Sequence, residues 1–112
     1  MNPFPPEDLV PLPATHDAVR SLTGWQVVDG RLRARYDTGT FAAGLALVNG
    51  IGAAAEAADH HPDIDLRYGH VVVVTWSHDV DAITARDVRL AGEIDAIAHE
   101  LDIRAGTTST EM

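Results

Sequence analysis

Residues 56–79 read EAADHHPDIDLRYGHVVVVTWSHD, and this stretch decides the fold. Pro62 ends the helix that precedes it, because a proline cannot continue the helical hydrogen-bond ladder and disfavours helical geometry in the residue before it. The short run DIDLRY, a turn near Gly69 and the apolar run HVVVVTWSH then predict a hairpin. The stretch is therefore the junction between a helix and a pair of antiparallel strands.

The chain upstream has the same arrangement of a hairpin and a helix. Residues 25–37 form two short runs joined by Asp29 and Gly30, a pair that tolerates the positive φ of a tight turn. Residues 40–58 have a helical pattern. The stripe expected to be buried on that helix consists of Phe41, Leu45, Val48 and Ile51.

Two more helices complete the prediction. Residues 14–22 can form a short helix, and Thr84 begins a helix that runs to about Ile103. The buried stripe of this last helix consists of Val88, Ala91, Ile94, Ala98 and Leu101. The order α-β-β-α-β-β-α predicts an α+β fold of two layers, in which helices pack on one face of a four-stranded antiparallel sheet.

The ends of the chain are predicted to lie outside this domain, which spans residues 14–104. Five of the six prolines fall within residues 1–13, which favours a disordered or extended arm. Residues 105–112 are polar and are expected to form a disordered tail.

Composition excludes several functional classes. The net charge is −9, and the eight basic residues are scattered arginines, so neither a nucleic-acid nor an anionic-membrane surface is expected. Without cysteine the chain has no disulfide or thiolate, and a metal would depend on His and carboxylate ligands. No segment approaches the roughly 20 apolar residues of a membrane helix. The N-terminus also lacks the features of a signal peptide, so we expect a cytoplasmic protein.

Three histidines surround the apolar run and are the candidates for chemistry. Glu56 and His60 are spaced i, i+4, so on a continuing helix their side chains could form a hydrogen bond. His61, at the frayed helix end, could turn toward the same cleft, and the strand period places His78 at the end of the second strand. Imidazoles that meet there would form the polar floor of an apolar pocket.

Each candidate also has a structural interpretation. An HH pair before proline commonly ends a helix, where imidazole complements the negative end of the dipole. Asp87 has the spacing of a capping box with Thr84, although capping does not exclude a further role. Trp25 and Trp76 are large apolar side chains, which are more often core residues than ligand-binding platforms. A zinc site built from the three histidines is a further alternative, because three imidazoles can hold zinc with an open position.

The combination of these residues resembles the pterin-4a-carbinolamine dehydratase family. The resemblance covers residues 22–98, and the spacing from His60-His61-Pro62 to His78 matches that of the family without a gap. They are Glu56-x-x-x-His60-His61-Pro62-Asp63, Tyr68, Ser77-His78-Asp79, Thr84-x-x-Asp87 and Leu90-Ala91, with Gly24-Trp25 and Phe41 upstream.

The resemblance implies a function and a set of site residues. Members dehydrate a 4a-hydroxytetrahydropterin to quinonoid dihydropterin and water, without metal or cofactor, and form homodimers by joining sheets edge to edge or homotetramers through helices. The histidines at positions 60, 61 and 78 are then the catalytic set. The other site residues that it implies are Glu56 and Asp87 as orienting carboxylates, and Asp59, Ser77 and Asp79 as pterin contacts.

Trp76 departs from the family pattern, which usually has Ser or Thr at this position. The indole could stack on a pterin, as a substrate-binding residue, or fill the place of the pterin. Because some members of the family act as assembly partners, the alternative is a catalytically altered interaction module, or a member with a different ligand.

Overall fold

The structure, a computed structural model, describes residues 4–106. It contains three helices, α1 (Asp17–Arg20), α2 (Phe41–Ala58) and α3 (Ala85–Glu100). Its strands are β1 (Trp25–Val28), β2 (Arg31–Asp37), β3 (Asp63–Leu66), β4 (His70–Thr75) and the two-residue β5 (Arg104–Ala105). The main strands form one antiparallel sheet in the order β1-β2-β4-β3, and β5 pairs with the end of β2. The predicted α+β fold and element order are confirmed.

Alternation along the two central strands decides which face of the sheet is covered. The buried residues of β2 and β4 share one face, and the residues between them are half-buried or exposed on the other. The covered face carries Leu32, Ala34, Tyr36, Val71, Val73 and Thr75. α2 and α3 pack on this face. The opposite face, which we call the open face, is not covered by any helix within residues 4–106.

Local signals set the ends of these elements. Asp29 and Gly30 both have positive φ, 52° and 75°, as the tight turn between β1 and β2 requires. Thr40 caps α2 by accepting the amide of Ala43 at 3.1 Å. At the start of α3 the Thr84–Asp87 capping box is present, which confirms that prediction.

The buried stripe of α2 differs from the predicted one. Phe41 and Leu45 are 46% and 44% exposed. Of the other two predicted residues, Ile51 is fully buried as expected and Val48 is half-buried. The remaining buried residues of α2 are Gly44, Leu47 and Ala55. α2 is apolar on all sides, so periodicity alone does not identify the inward face.

The expectation that no segment approaches a membrane helix is also wrong for α2. Within residues 4–106, this one helix is long and apolar enough to cross a membrane by length and composition, and 22% of it is buried. Core helices of soluble proteins pass the same test, and the inner side of α2 packs on the sheet. What the chain does have is an apolar outer side on α2.

The N-terminal segment is ordered from residue 4 onward. Pro6–Leu9 form a 3-10 helix, and Asp8 is 5% exposed with its carboxylate 2.6 Å from Arg89 Nη2. The amide of Leu12 bonds to the carbonyl of Ile83 at 2.7 Å. The predicted arm thus includes residues that pack against α3. Of the predicted tail, Ala105 lies in β5 and residues 107–112 lie outside the described residues.

Candidate active site

The end of α2 positions His60. Asp59 has a left-handed conformation (φ 51°, ψ 44°) and ends the helix. The His60 side chain lies in the interior, 8% exposed for the whole residue, and its Nε2 is 2.6 Å from Asp87 Oδ1. A buried carboxylate on α3 therefore orients an imidazole at the end of α2.

The predicted bond between Glu56 and His60 is wrong. The i, i+4 relationship holds only while the helix continues, and the left-handed Asp59 interrupts it before residue 60. Glu56 Oε2 instead lies 2.6 Å from His61 Nε2, and both side chains are exposed. The two adjacent histidines thus have different carboxylate partners, one buried and one at the surface.

Asp87 accepts hydrogen bonds from several elements at once. Thr75 donates to Oδ1 at 2.6 Å, and Ser77 and the amide of Thr84 donate to Oδ2 at 2.8 and 2.9 Å. Burial by itself would raise the pKa of the Asp87 carboxyl, but the bonds from His60, Thr75, Thr84 and Ser77 outweigh it and hold that pKa below its usual range. Asp87 is therefore held as a carboxylate facing His60.

A cleft of about 260 Å³ opens between the end of α2 and the residues that follow β4. Its lining residues are Asp59, His60, His61, Trp76, His78, Asp79 and Arg86. Six of these seven were singled out from the sequence. Of the other predicted site residues, Ser77 and Asp87 are fully buried behind the cleft, and Glu56 is exposed and bonded to His61.

The alternation of β4 continues through the residues after it. Thr75 and Ser77 are buried, Trp76 is half-buried, and His78 is exposed. The Trp76 indole stacks on the His78 imidazole with centroids 4.2 Å apart and planes at 26°. The guanidinium carbon of Arg31 lies 3.9 Å from the centroid of the same indole. This three-residue contact, the Arg31–Trp76–His78 stack, joins the open face of the sheet to the cleft.

Comparison with known proteins identifies the family. The family model for pterin 4 alpha carbinolamine dehydratase matches residues 11–97, more than half of the chain. This chain belongs to the pterin-4-alpha-carbinolamine dehydratase family. The resemblance seen in the sequence is thereby confirmed.

Two proteins named for the dehydratase family are similar to this chain in sequence. A protein of Herpetosiphon aurantiacus, named provisionally as a pterin-4-alpha-carbinolamine dehydratase, is 42% identical over 84 residues, 75% of this chain and 88% of that protein. A similarly named protein of Mycobacterium tuberculosis is 40% identical over 80 residues, 71% of this chain and 85% of that one.

Two solved structures are also similar. The transcriptional coactivator/pterin dehydratase of Brucella melitensis superposes with a TM-score of 0.70 at 30% identity, covering 73% of this chain and 89% of that one. A pterin dehydratase-like protein described as a RuBisCO assembly factor of the alpha-carboxysome has a TM-score of 0.56 at 21% identity, covering 66% of this chain and 86% of that one, and shares the fold.

Arg86 is a residue of this dehydratase-family cleft that the sequence reasoning missed. It is 6% exposed, its Nη2 donates to Asp79 Oδ1 at 2.7 Å, and its Nε donates to the carbonyl of Asp8 at 3.1 Å. The position of Arg86 is itself a sequence signal, because a cation in the first turn of α3 interacts unfavourably with the helix dipole. An arginine at such a position indicates that its guanidinium has another partner. The cleft thus has one cation among its imidazoles and carboxylates.

The zinc alternative has no matching geometry. Within residues 4–106 no group of three or more His, Cys, Asp or Glu side chains is arranged to hold a metal ion. Two of the three histidines are instead bonded through Nε2 to carboxylates.

A larger cavity of about 460 Å³ lies elsewhere on this dehydratase-family chain, beside Asp95. There Asp95 Oδ1 accepts the indole N–H of Trp25 at 3.1 Å and the hydroxyl of Tyr36. Burial and the neighbouring Asp95 carboxylate raise the pKa of Tyr36 above its ordinary value, so its phenol stays neutral. These bonds tie β1 and β2 to α3. Because the three histidines converge elsewhere, the smaller cleft is the better candidate for acid–base chemistry.

Proposed function

We propose that the chain is a hydro-lyase that converts a 4a-hydroxytetrahydropterin to quinonoid dihydropterin and water by histidine general acid–base catalysis. The observation that carries this proposal is that His60, His61 and His78 line one cleft, with the buried His60 bonded to Asp87. Membership of the dehydratase family supports the substrate class.

The reaction needs one proton donor and one proton acceptor. The C4a–O bond breaks as the hydroxyl takes a proton and leaves as water. N5 loses its proton, and the electron pair that it leaves forms the double bond to C4a. The loss of water is redox-neutral overall, so it needs no oxidant or reductant. Imidazoles titrate near neutrality and can carry out both proton transfers without a metal or cofactor.

We assign the proton transfers to His60 and His78. The Nε2 atom of His60 is engaged with Asp87, which leaves Nδ1 to exchange a proton with a bound molecule. His78 lies on the exposed side of the cleft. His61, bonded to Glu56 at the surface, is proposed to bind and orient the ring.

The remaining polar groups are proposed to recognise the substrate. Asp59 and Asp79 line the cleft, and a pterin offers N–H donors that carboxylates can accept. Arg86, which lines the same cleft, is a donor suited to a carbonyl oxygen of the pterin. Ser77 is fully buried and bonded to Asp87, so its proposed role is indirect, through that carboxylate.

The test is turnover of 4a-hydroxytetrahydropterin, generated in place by an aromatic amino-acid hydroxylase. Wild-type protein should speed its disappearance, and His60→Ala or His78→Ala should each lower kcat by about 10²- to 10⁴-fold, the usual cost of losing a general acid or base. His99→Ala, an exposed histidine outside the cleft, is the matched control and should retain full activity. Unchanged turnover in both cleft variants would refute the mechanism.

A non-catalytic assembly role is the second candidate. The apolar outer side of α2, with Phe41 and Leu45 exposed, is a surface that a protein partner could cover. Trp76, the residue that departs from the family pattern, lines the cleft. A folded wild-type protein without measurable turnover, whose self-association or partner binding is lost in Leu45→Glu, would favour this role over catalysis.

The setting proposed for the enzyme follows from its charge and its surface. A net charge of −9 suits a cytoplasmic protein that acts on a small molecule rather than on nucleic acid or an anionic membrane. The apolar outer side of α2 and the unpaired edge strands favour a homodimer or homotetramer.

A further inference from the structure

The Arg31–Trp76–His78 stack follows directly from the strand register. Leu32 pairs with Thr75, so the next residues outward, Arg31 and Trp76, lie opposite one another. His78 comes two residues after Trp76, on the same side of the chain. The register of two central strands thus delivers a guanidinium and an imidazole to one indole.

Two side chains pack against the indole. The Arg31 guanidinium and the His78 imidazole each lie about 4 Å from the indole ring. The indole therefore already has two stacking partners from its own chain, a cation and an imidazole.

The three cleft histidines are oriented in two different ways. His60 and His61 are each bonded to a carboxylate at 2.6 Å. His78 lies three residues after the end of β4 and is exposed. The Trp76 indole packs against its ring. For His78, the indole takes the place that carboxylates take for the other two.

We propose that Trp76, anchored by Arg31, is a positioning residue that fixes the plane of the His78 imidazole at the mouth of the cleft. The cation–π contact with Arg31 fixes the orientation of the indole. The indole in turn restricts rotation of the His78 imidazole. The side of the His78 ring that is turned away from Trp76 is then the one that meets the substrate. The catalytic consequence rests on the proposed function, whereas the stack can be tested by itself.

The first test is spectroscopic and independent of activity. The chain has two tryptophans, so Trp25→Phe leaves Trp76 as the only indole. A protonated imidazole in contact with an indole quenches its fluorescence, so emission should fall in a single step as pH drops from 8 to 5, where imidazoles titrate. The step should vanish when His78→Asn is added and persist when His99→Asn is added. If Trp25→Phe does not fold, the emission difference between wild-type protein and Trp76→Phe gives the same signal.

The second test is kinetic and separates positioning from substrate stacking. Trp76→Phe keeps an aromatic face and should stay within about threefold of wild type. Trp76→Leu has no ring and should lose about 10- to 100-fold in kcat, the cost of a misplaced catalytic group, with KM changed little. A pterin platform would instead show a raised KM with kcat preserved.

The outcomes separate the two proposals. A fluorescence step unaffected by His78→Asn, or a Trp76→Leu variant with the kcat of Trp76→Phe, would overturn the positioning role. Wild-type protein with the fluorescence step but without turnover would refute the proposed function, while the stack itself would be upheld.

Discussion

At the scale of single residues, Asp87 links the folded core to the candidate active site. Its carboxylate caps α3, accepts hydrogen bonds from the hydroxyls of Thr75 and Ser77, and bonds to His60.

Sequence reasoning identified Asp87 and the histidines but paired His60 with Glu56. The error arose because a left-handed residue at position 59 has no dependable sequence signal when it is aspartate rather than glycine. Arg86 was missed because its contact with Asp8 joins residues far apart in the chain.

Asp87→Asn should destabilise the protein. An amide has only one acceptor oxygen, so its NH₂ group would face donors that Asp87 now satisfies, at a cost of about 1–3 kcal/mol in the free energy of unfolding. Urea denaturation at pH 7 measures this. Asp29→Asn, in the exposed hairpin turn where Asn-Gly is equally favourable, is the control and should change little. Equal stability of both variants would contradict the role of Asp87 in the core.

The same residue predicts a pH dependence. Because the pKa of Asp87 is lowered in the folded state, its contribution to stability is present above the unfolded pKa of about 3.9 and is lost as pH falls through the folded pKa. The stability difference between wild-type protein and Asp87→Asn should therefore shrink below about pH 4. Denaturation curves between pH 7 and pH 2.5 measure it, and a difference that grows on acidification would show that the sign is wrong.

At the scale of elements, α2 shows what pattern can and cannot predict. Its ends were predictable from Thr40 and Pro62, because capping and proline chemistry are local. Its inward face was not, because apolar residues surround the helix. Glycine decides that face: a Cβ on Gly44 would lie 2.8 Å from Leu66 Cδ1, and one on Gly50 would lie 2.7 Å from Ile97 Cγ2. The close approach of α2 to the sheet and to α3 depends on these two positions.

Two glycines of α2 offer a matched test of that packing. Gly52 has nothing within 4 Å of its would-be Cβ, so Gly52→Ala should raise the free energy of unfolding by up to about 1 kcal/mol through helix propensity. Gly50→Ala gains the same propensity but must displace Ile97, so it should be about 1–3 kcal/mol less stable than Gly52→Ala. Thermal or urea unfolding compares them, and equal stabilisation by both would mean that α2 and α3 are not closely packed.

At the scale of the whole molecule, the sheet edges and α2 are the surfaces through which we expect self-association. The apolar run of β4 was predictable as strand, but its place between β2 and β3 depends on long-range pairing that local pattern does not reveal. The edges are therefore β1 and β3. Asp63 and Asp65 on β3 would repel their symmetry mates, whereas β1 exposes Val27 and Val28, so β1 is the edge better suited to pair across a two-fold axis.

We expect a homodimer or larger assembly in solution. Light scattering after size exclusion at micromolar concentration should give at least twice the 12.0 kDa chain mass. Val27→Lys should weaken the assembly by placing a charge on the β1 edge, whereas Val10→Lys, at an exposed position away from the sheet, should not. A wild-type monomer at these concentrations would contradict the proposed assembly.

The central claim is that the imidazoles of one cleft transfer the protons of a pterin dehydration, and stopped-flow decay of 4a-hydroxytetrahydropterin tests it most directly. The rate should rise in proportion to wild-type protein concentration at neutral pH. The double variant His60→Ala/His78→Ala, with its fold verified by circular dichroism, should return the decay to the rate in buffer, because a missing acid and a missing base leave no proton pathway. Wild-type rates in the double variant, or no acceleration by folded wild-type protein, would contradict the claim.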